Sequence, residues 1–482
     1  MPRLLELPKE VLLDVASFTG KRGLYNLSLT CRELGPIAQE ALHRHPTLLE
    51  YQTDRVDYLV RTLLTRPDLA SKVRVLDIPA SISSHARYHA HDCLLIPNFS
   101  LETTCSCGHT EKLENIRQAI WPSYPKKVLD GRPVSSVCGG SLILGFIIIL
   151  STKLEHLRLR DGFVEESQEY VSSVNTFGVS NNEDLSRIPG MKSLRSLYTQ
   201  VHLNWRLENL PKLQELTMRY YPRVNTYPLD ARLTMASMAP QALTTLNIHS
   251  KYYILWAGGK FRTFLKRLAQ QLTALHTLQT WICGEFDEFE EVWRGQGYEN
   301  ILNALQSTHA TLQSLVIDDR PFKRDAIFQN LDNKYLSKLG ACTTLHKFTN
   351  LRRLVVPHQA IYHQPSTRGT VASIKDMKPE LNPTISLPAT IETLEILCPH
   401  SGGMQVEVYA AWLMMAKEEQ RLKGLEKLVL HSRELPDNFF SVKEKLNLVG
   451  VEVSWDRGYY PFHPSPGWRS ERLAWCLMEF LQ

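Results

Sequence analysis

One short apolar pattern recurs along most of the chain and limits what it can fold into. The pattern is Leu-x-x-Leu-x-aliphatic. It stands at Leu154/Leu157/Leu159, Leu213/Leu216/Met218, Leu243/Leu246/Ile248, Leu312/Leu315/Ile317, Leu351/Leu354/Val356, Ile391/Leu394/Ile396 and Leu425/Leu428/Leu430. Degenerate copies occur at Leu194/Leu197/Thr199 and Leu275/Leu278/Thr280. Leucine-rich helices throw up isolated hexads of this kind, so one copy would carry no information. Nine copies starting roughly 20 to 40 residues apart, several introduced by Pro or Gly, indicate a repeated structural unit. Stretches at helical spacing fill the intervals, among them Phe261 to Leu272, Tyr298 to Ser307 and Val406 to Leu422. Val73 to Ile78 and Val449 to Trp455 alternate as short strands on either side of the array.

The series resembles a divergent leucine-rich-repeat solenoid, with longer and less regular intervals than usual. The resemblance implies an α/β fold with short parallel strands inside and helices outside. In such repeats the last two apolar side chains of the hexad point inward and the first closes the turn into the strand. The hexads should then be neighbouring parallel strands of one curved sheet, with Leu157, Leu216, Leu246, Leu315, Leu354, Leu394 and Leu428 buried. Side chains alternate along a strand, so the residues flanking each inward Leu should face the concave side. Those positions include Arg158, Arg160, Tyr198, Arg219, Asn247, His249, Trp281, Val316, Asp318, Val355, Glu395, Val429 and His431.

The first fifty residues follow a different rule. Pro8 suits a first helical position, where its missing N–H is no loss, and Val11, Leu12, Val15 and Phe18 follow at helical spacing. Gly20 and Gly23 break that helix, Leu24 and Leu27 mark a second, and Thr30 with Glu33 fits a capping box for a third carrying Leu34, Ile37, Ala38, Ala41 and Leu42. Three helices this short should not enclose a core alone, so the unit is expected to bury an apolar face on another body.

This stretch resembles an F-box. The elements that carry the resemblance are Leu7-Pro8, Glu10, Val11-Leu12 and Val15, Phe18, Leu24 and Leu27, Leu29-Thr30-Cys31-Arg32, and Ile37-Ala38. Thr19 replaces a usual aliphatic, and Arg22-Gly23 stands where an Asp before the Leu is usual. A helix over Asp54 to Arg66, stopped by Pro67, then Arg66-Pro-x-Leu69 and Val73-Arg-x-Leu-Asp77, resemble the segment behind the F-box in many filamentous-fungal F-box proteins.

These features divide the chain into an F-box at 1–50, linking helices, a first strand and an irregular insertion at 51–150, the repeats at 151–455, and a loop with a capping helix from Ser470 at 456–482. Residues 79–133 are polar, rich in His and Pro, with one short helix expected near Glu111 to Trp121; Val134 to Leu150 reads as helix. Its run LILGFIIIL is far shorter than the roughly 20 residues of a bilayer span. No apolar leader is expected at the start, and nine scattered cysteines, an odd number, fit reduced thiols in the cytoplasm or nucleus. A net charge of +5, from 55 basic and 50 acidic residues, is too mild to point to nucleic acid.

Candidate chemistry is sparse. Cys93, Cys105, Cys107 and His109 offer zinc-type ligands, but Cys-x-Cys spacing without a second pair reads as reduced thiols in a polar loop. The acidic stretch GEFDEFEEVW from Gly284 reads as a solvated helix start, with a partner-binding lip as the rival reading. No phosphate-binding glycine loop, nucleophile elbow or metalloprotease motif occurs, so no catalytic residue, cofactor or metal is expected.

The F-box resemblance implies a substrate-recognition subunit of an SCF-type ubiquitin ligase. The F-box would bind a Skp-type adaptor, and through it a cullin–RING assembly, using Leu7, Pro8, Val11, Leu12, Val15, Leu24, Leu27, Ile37 and Leu42. The repeats would hold a target protein, with Arg158, Arg160, Tyr198, Arg219, His249, Trp281 and Asp318 as the candidate contacts. The alternative is a scaffold that binds the adaptor or other proteins without joining a ligase. Neither reading involves nucleic acid or a membrane.

Overall fold

The computed structural model describes residues 6–46, 53–78, 147–159, 188–200, 210–220, 242–251, 259–283, 298–318, 341–361, 382–398, 406–432, 435–436 and 438–456. The chain divides into two compact units, Met1–Thr217 and Met218–Gln482.

The first unit opens with α1 (Lys9–Ser17), α2 (Lys21–Ser28) and α3 (Leu34–Arg44). Pro8 is the N-cap of α1, one position earlier than expected, and Gly20 is the N-cap of α2. Gly23 lies inside α2 and does not break it. The capping box expected at Thr30 and Glu33 does not form. Glu33 already has helical backbone angles and makes no side-chain cap, while the Thr30 hydroxyl donates to the Leu27 carbonyl at 2.7 Å. Thr30 thus closes α2 instead of opening α3.

Contrary to the expectation, the three helices enclose a small core of their own. Leu12, Ala16, Leu24, Leu34 and Ile37 are its buried members, and Leu7, Leu13, Leu27, Cys31, Ala41 and Leu42 pack around them. Small residues let this happen: Ala16 and Ala38 are almost wholly buried, so the helices approach closely.

Two further helices, α4 (Thr53–Thr65) and α5 (Pro67–Ala70), lead to the first strand. Pro67 does more than stop α4; it stands at the start of α5. The three-helix unit is tied to this segment through Glu40, which takes Lys9 at 3.3 Å and Lys72 at 3.0 Å. Burial pushes the Glu40 carboxyl up, but hydrogen bonds from Lys72 and Lys9 outweigh it and hold the group below its usual range. The Arg74 amide donates to the Arg44 carbonyl at 2.9 Å, fixing the end of α3 against the strand entry.

The strands of the first unit are β1 (Val75–Ile78), β2 (His156–Leu159) and β3 (Ser196–Gln200), with β4 (Glu215–Tyr220) beginning beside β3. They pair in parallel, Leu76 opposite Leu157 and Leu157 opposite Leu197.

In the second unit β5 (Thr245–Lys251), β6 (Thr277–Cys283), β7 (Ser314–Asp318), β8 (Arg353–Pro357), β9 (Thr393–Cys398), β10 (Lys427–Ser432) and β11 (Glu452–Asp456) pair in parallel, in chain order. Their register lines up Leu246, Leu278, Leu315, Leu354, Leu394, Leu428 and Val453 in one row, every member buried. Helices α6 (Gly259–Gln271), α7 (Tyr298–Ala304), α8 (His358–Ile361), α9 (Val406–Glu418) and α10 (Phe439–Leu448) lie between the strands in sequence.

A hydrogen-bond rule repeats at the strand entries. The second and third residues of a hexad both donate their amides to the carbonyl of the second residue one hexad earlier. Arg195 and Ser196 do so to Glu155, Gln313 and Ser314 to His276, Arg352 and Arg353 to Gln313, and Glu426 and Lys427 to Glu392. Just upstream, the Ser193 hydroxyl donates to the Leu154 carbonyl and the Thr390 hydroxyl to the Leu351 carbonyl. The buried turn into each strand is thereby supplied with partners, which a buried backbone requires. The first hexad residues, from Leu154 to Leu425, are buried at these turns. The structure is therefore α/β, with solenoid-like stacking of parallel strands inside each unit. The insertion at 79–133 and the C-terminal helix expected from Ser470 lie outside the described residues.

Candidate functional site

Two surfaces stand out, one in each unit. The first is on the N-terminal helices. Val11, Val15 and Phe18 fall at i, i+4 and i+7, on one face of α1 and its C-cap. All three are exposed, Phe18 at 90%. Tyr25 on α2 and Leu29 at its C-cap are exposed as well. Apolar side chains this open on so small a body make this face a candidate binding surface.

The nine residues expected to touch an adaptor divide into three groups. Leu12, Leu24 and Ile37 are buried in the unit's own core and present no surface. Leu7, Leu27 and Leu42 are half-buried against that core. Only Pro8, Val11 and Val15 are open to solvent. Helical spacing identifies an apolar residue but not which side of a three-helix unit it faces, so Tyr25 and Leu29 were not singled out as contacts. Their i, i+4 spacing was the available signal.

The second surface is the sheet face opposite the leucine row. Its residues were expected to line a concave surface for a target, and many of them are buried. Asn247, Val316, Asp318, Val355, Glu395, Val429 and His431 are all buried in the second unit. Val316, Val355 and Leu397 form an apolar cluster of their own. Beside it a chain of ionisable side chains crosses four strands. Arg353 Nε meets Glu395 Oε1 at 2.7 Å, Glu395 Oε2 meets His431 Nε2 at 3.0 Å, and His431 Nδ1 lies 3.2 Å from Asp456 Oδ2. Burial pushes the Glu395 carboxyl up, yet the His431 hydrogen bond and the Arg353 charge hold it below its usual range. The chain of contacts welds β8 to β11 side by side.

The seven candidate target contacts are scattered by the same geometry. Asp318 is buried in the second unit and Tyr198 in the first, so neither is an open contact as expected. Arg158 is half-buried and lies 3.7 Å from Asp77. Arg219, His249 and Trp281 belong to β4, β5 and β6, with His249 registered to Trp281 and Trp281 to Asp318. Arg160 lies outside the described residues, as do Cys93, Cys105, Cys107 and His109. Among the described residues no cluster of His, Cys, Asp and Glu could hold a metal ion. No helix among them is long and apolar enough to cross a membrane.

No protein-family model matches the chain, and neither does any curated protein sequence.

Proposed function

We propose that the N-terminal helical unit is an F-box, and that the chain is the substrate-recognition subunit of an SCF-type ubiquitin ligase. The observation that carries this reading is a coincidence of order and exposure. The Leu7-Pro8, Leu24/Leu27 and Leu29-Thr-Cys-Arg32 elements follow one another as in that family, and Val11, Val15, Phe18 and Leu29 on the same unit are left uncovered. A Skp-type adaptor is the partner that such a unit would take. Strands stacked by a common register supply a second, separate body for holding a target. The chain's contribution to ubiquitin transfer is then proximity: a held target replaces a bimolecular encounter with an effectively unimolecular step. The reading implies residence in the cytoplasm or nucleus.

Co-expression of the full chain with a Skp-type adaptor tests it. Val11→Asp with Phe18→Asp adds charge at exposed positions, so it should abolish adaptor recovery while leaving the circular dichroism spectrum unchanged. Leu7→Ala with Pro8→Ala should reduce recovery as well. Wild-type recovery by the Asp variant would refute the F-box reading. Recovery of adaptor without cullin would favour the non-ligase scaffold.

A further inference from the structure

We propose that the outward face of α10 is the docking surface for the segment that follows β11 in sequence, and that residues 470–482 cover it as an amphipathic helix. The distribution of exposed apolar residues in the second unit carries the argument. Among the described residues the large exposed ones are Ile385, Met415, Leu435, Phe440 and Leu448, all of them after β8. None stands between 218 and 384 among the described residues. Uncovered apolar surface therefore gathers in the last repeats, where it marks a place for a partner.

Helix α10 is the extreme case. Phe439, Val442 and Leu446 are buried on one side of it. Phe440, Glu444 and Leu448 recur every fourth residue on another side, with Phe440 68% and Leu448 86% exposed. The helix packs against β11 and against α9, whose Glu407 carboxylate takes the Asn438 side chain at the head of α10. Each of these helices connects two neighbouring parallel strands, so the two run in the same direction. At about 1.5 Å per residue, Met415 lies roughly 12 Å beyond Glu407 and Leu448 roughly 15 Å beyond Asn438. Met415 is thus nearly level with Leu448 and extends the apolar face onto α9. In a stack of repeats the next repeat covers each flank, and the last flank needs a cap. No described element follows β11.

The sequence beyond β11 has the matching face. Residues 457–482 lie outside the described residues, and their periodicity is a property of the sequence. Leu473, Leu477, Phe480 and Leu481 fall at i, i+4, i+7 and i+8, one stripe of a helix that Ser470 can cap. A helix over 470–482 would be about 20 Å long, enough to follow α10 from end to end. Residues 457–469 span roughly 43 Å when extended, so the segment leaving β11 reaches either end of α10. Charge agrees as well. Glu444 stands between Phe440 and Leu448, and Arg469 and Arg472 stand at the head of the apolar stripe. The tether favours this occupant over a second copy, because a short flexible linker gives an effective concentration of about millimolar. The docking rests on neither the F-box nor the receptor reading.

Hydrogen exchange read by mass spectrometry on the full chain tests it. Amides of 473–481 should exchange roughly tenfold or more slower than in the isolated 470–482 peptide, at a rate independent of protein concentration. Phe440→Ser with Leu448→Ser changes only exposed side chains. It should return those amides to the peptide rate while β9 and β10 keep wild-type protection. Leu477→Ser should do the same from the other side of the contact, and it leaves α10 unaltered should the α10 variant loosen that helix. Lys445→Gln, exposed but off the stripe, should leave the protection intact. Exchange at the peptide rate in the wild-type chain, or protection that the α10 variant leaves unchanged, would overturn the proposal. Protection that rises with protein concentration, together with a dimer mass by light scattering, would assign the face to a second copy and overturn it equally.

Discussion

Replacing Glu395 by Gln removes one charge from the centre of the Arg353–Glu395–His431–Asp456 chain while keeping the side chain's shape. The Glu395 side chain is 9% exposed and that of His431 4%, whereas Arg353 is 35% exposed. Breaking a buried ion pair by deleting one partner costs about 3–5 kcal/mol, because the other charge is left buried. Here two features lower the figure. Arg353 can rehydrate, and His431 keeps Asp456 at 3.2 Å. A Gln oxygen still accepts one hydrogen bond, so the expected loss at pH 7 is about 1–3 kcal/mol. The acid dependence has a fixed sign. The Glu395 carboxyl is held below its usual range, so its contribution is present above the unfolded value of about 4.3 and is lost as pH falls through the lower folded value. The difference between wild type and Glu395→Gln should accordingly shrink on acidification. Two compact units make a single unfolding free energy ill-defined, so the assay is amide hydrogen exchange in β9 and β10, which reports local opening. Equal protection of the two proteins at pH 7, or a deficit that does not shrink at all as pH falls below the unfolded value of about 4.3, would refute the idea that the ionised carboxylate holds these strands together.

Two other substitutions and one reagent probe the remaining architecture. A Cβ at Gly190 would run into the Ser151 carbonyl, so Gly190→Ala should lower the local stability around β3 by about 1–3 kcal/mol, read by amide hydrogen exchange. Gly450→Ala meets open space but has φ +77°, so it should cost only about 1–2 kcal/mol from backbone strain. Burial and the Glu299 charge push the Cys342 thiol far up, so it should resist alkylation in the native chain while the half-buried Cys31 reacts before it, as read by peptide mass spectrometry.

The hexads were legible from sequence because their apolar residues obey a local rule. Leu at the first and fourth positions marks the turn and the inward side of a strand, and Leu157, Leu246, Leu315, Leu354, Leu394 and Leu428 are buried accordingly. The strand at Val75–Ile78 and the helices at Thr53–Thr65 and Tyr298–Ala304 were legible for the same reason. Helix α10 was not singled out. Its apolar residues Phe439, Phe440, Val442, Leu446 and Leu448 surround the helix, with Phe440 and Leu448 exposed, so no single stripe stands out. What tertiary structure alone decided is which side of each apolar or polar residue meets water. Leu12, Leu24 and Ile37 turned inward because three short helices close on one another around small residues, leaving Val11, Val15 and Phe18 outside. Alternation correctly places Glu395 and His431 off the leucine row, but it is silent on whether that second face is solvated. Parallel register brings Arg353, Glu395, His431 and Asp456 within ion-pair reach although their four strands are spread in sequence from 353 to 456. Glu395 and His431 can be buried there because each finds a polar partner on a neighbouring strand, a condition that pairing between distant residues creates and local sequence does not contain.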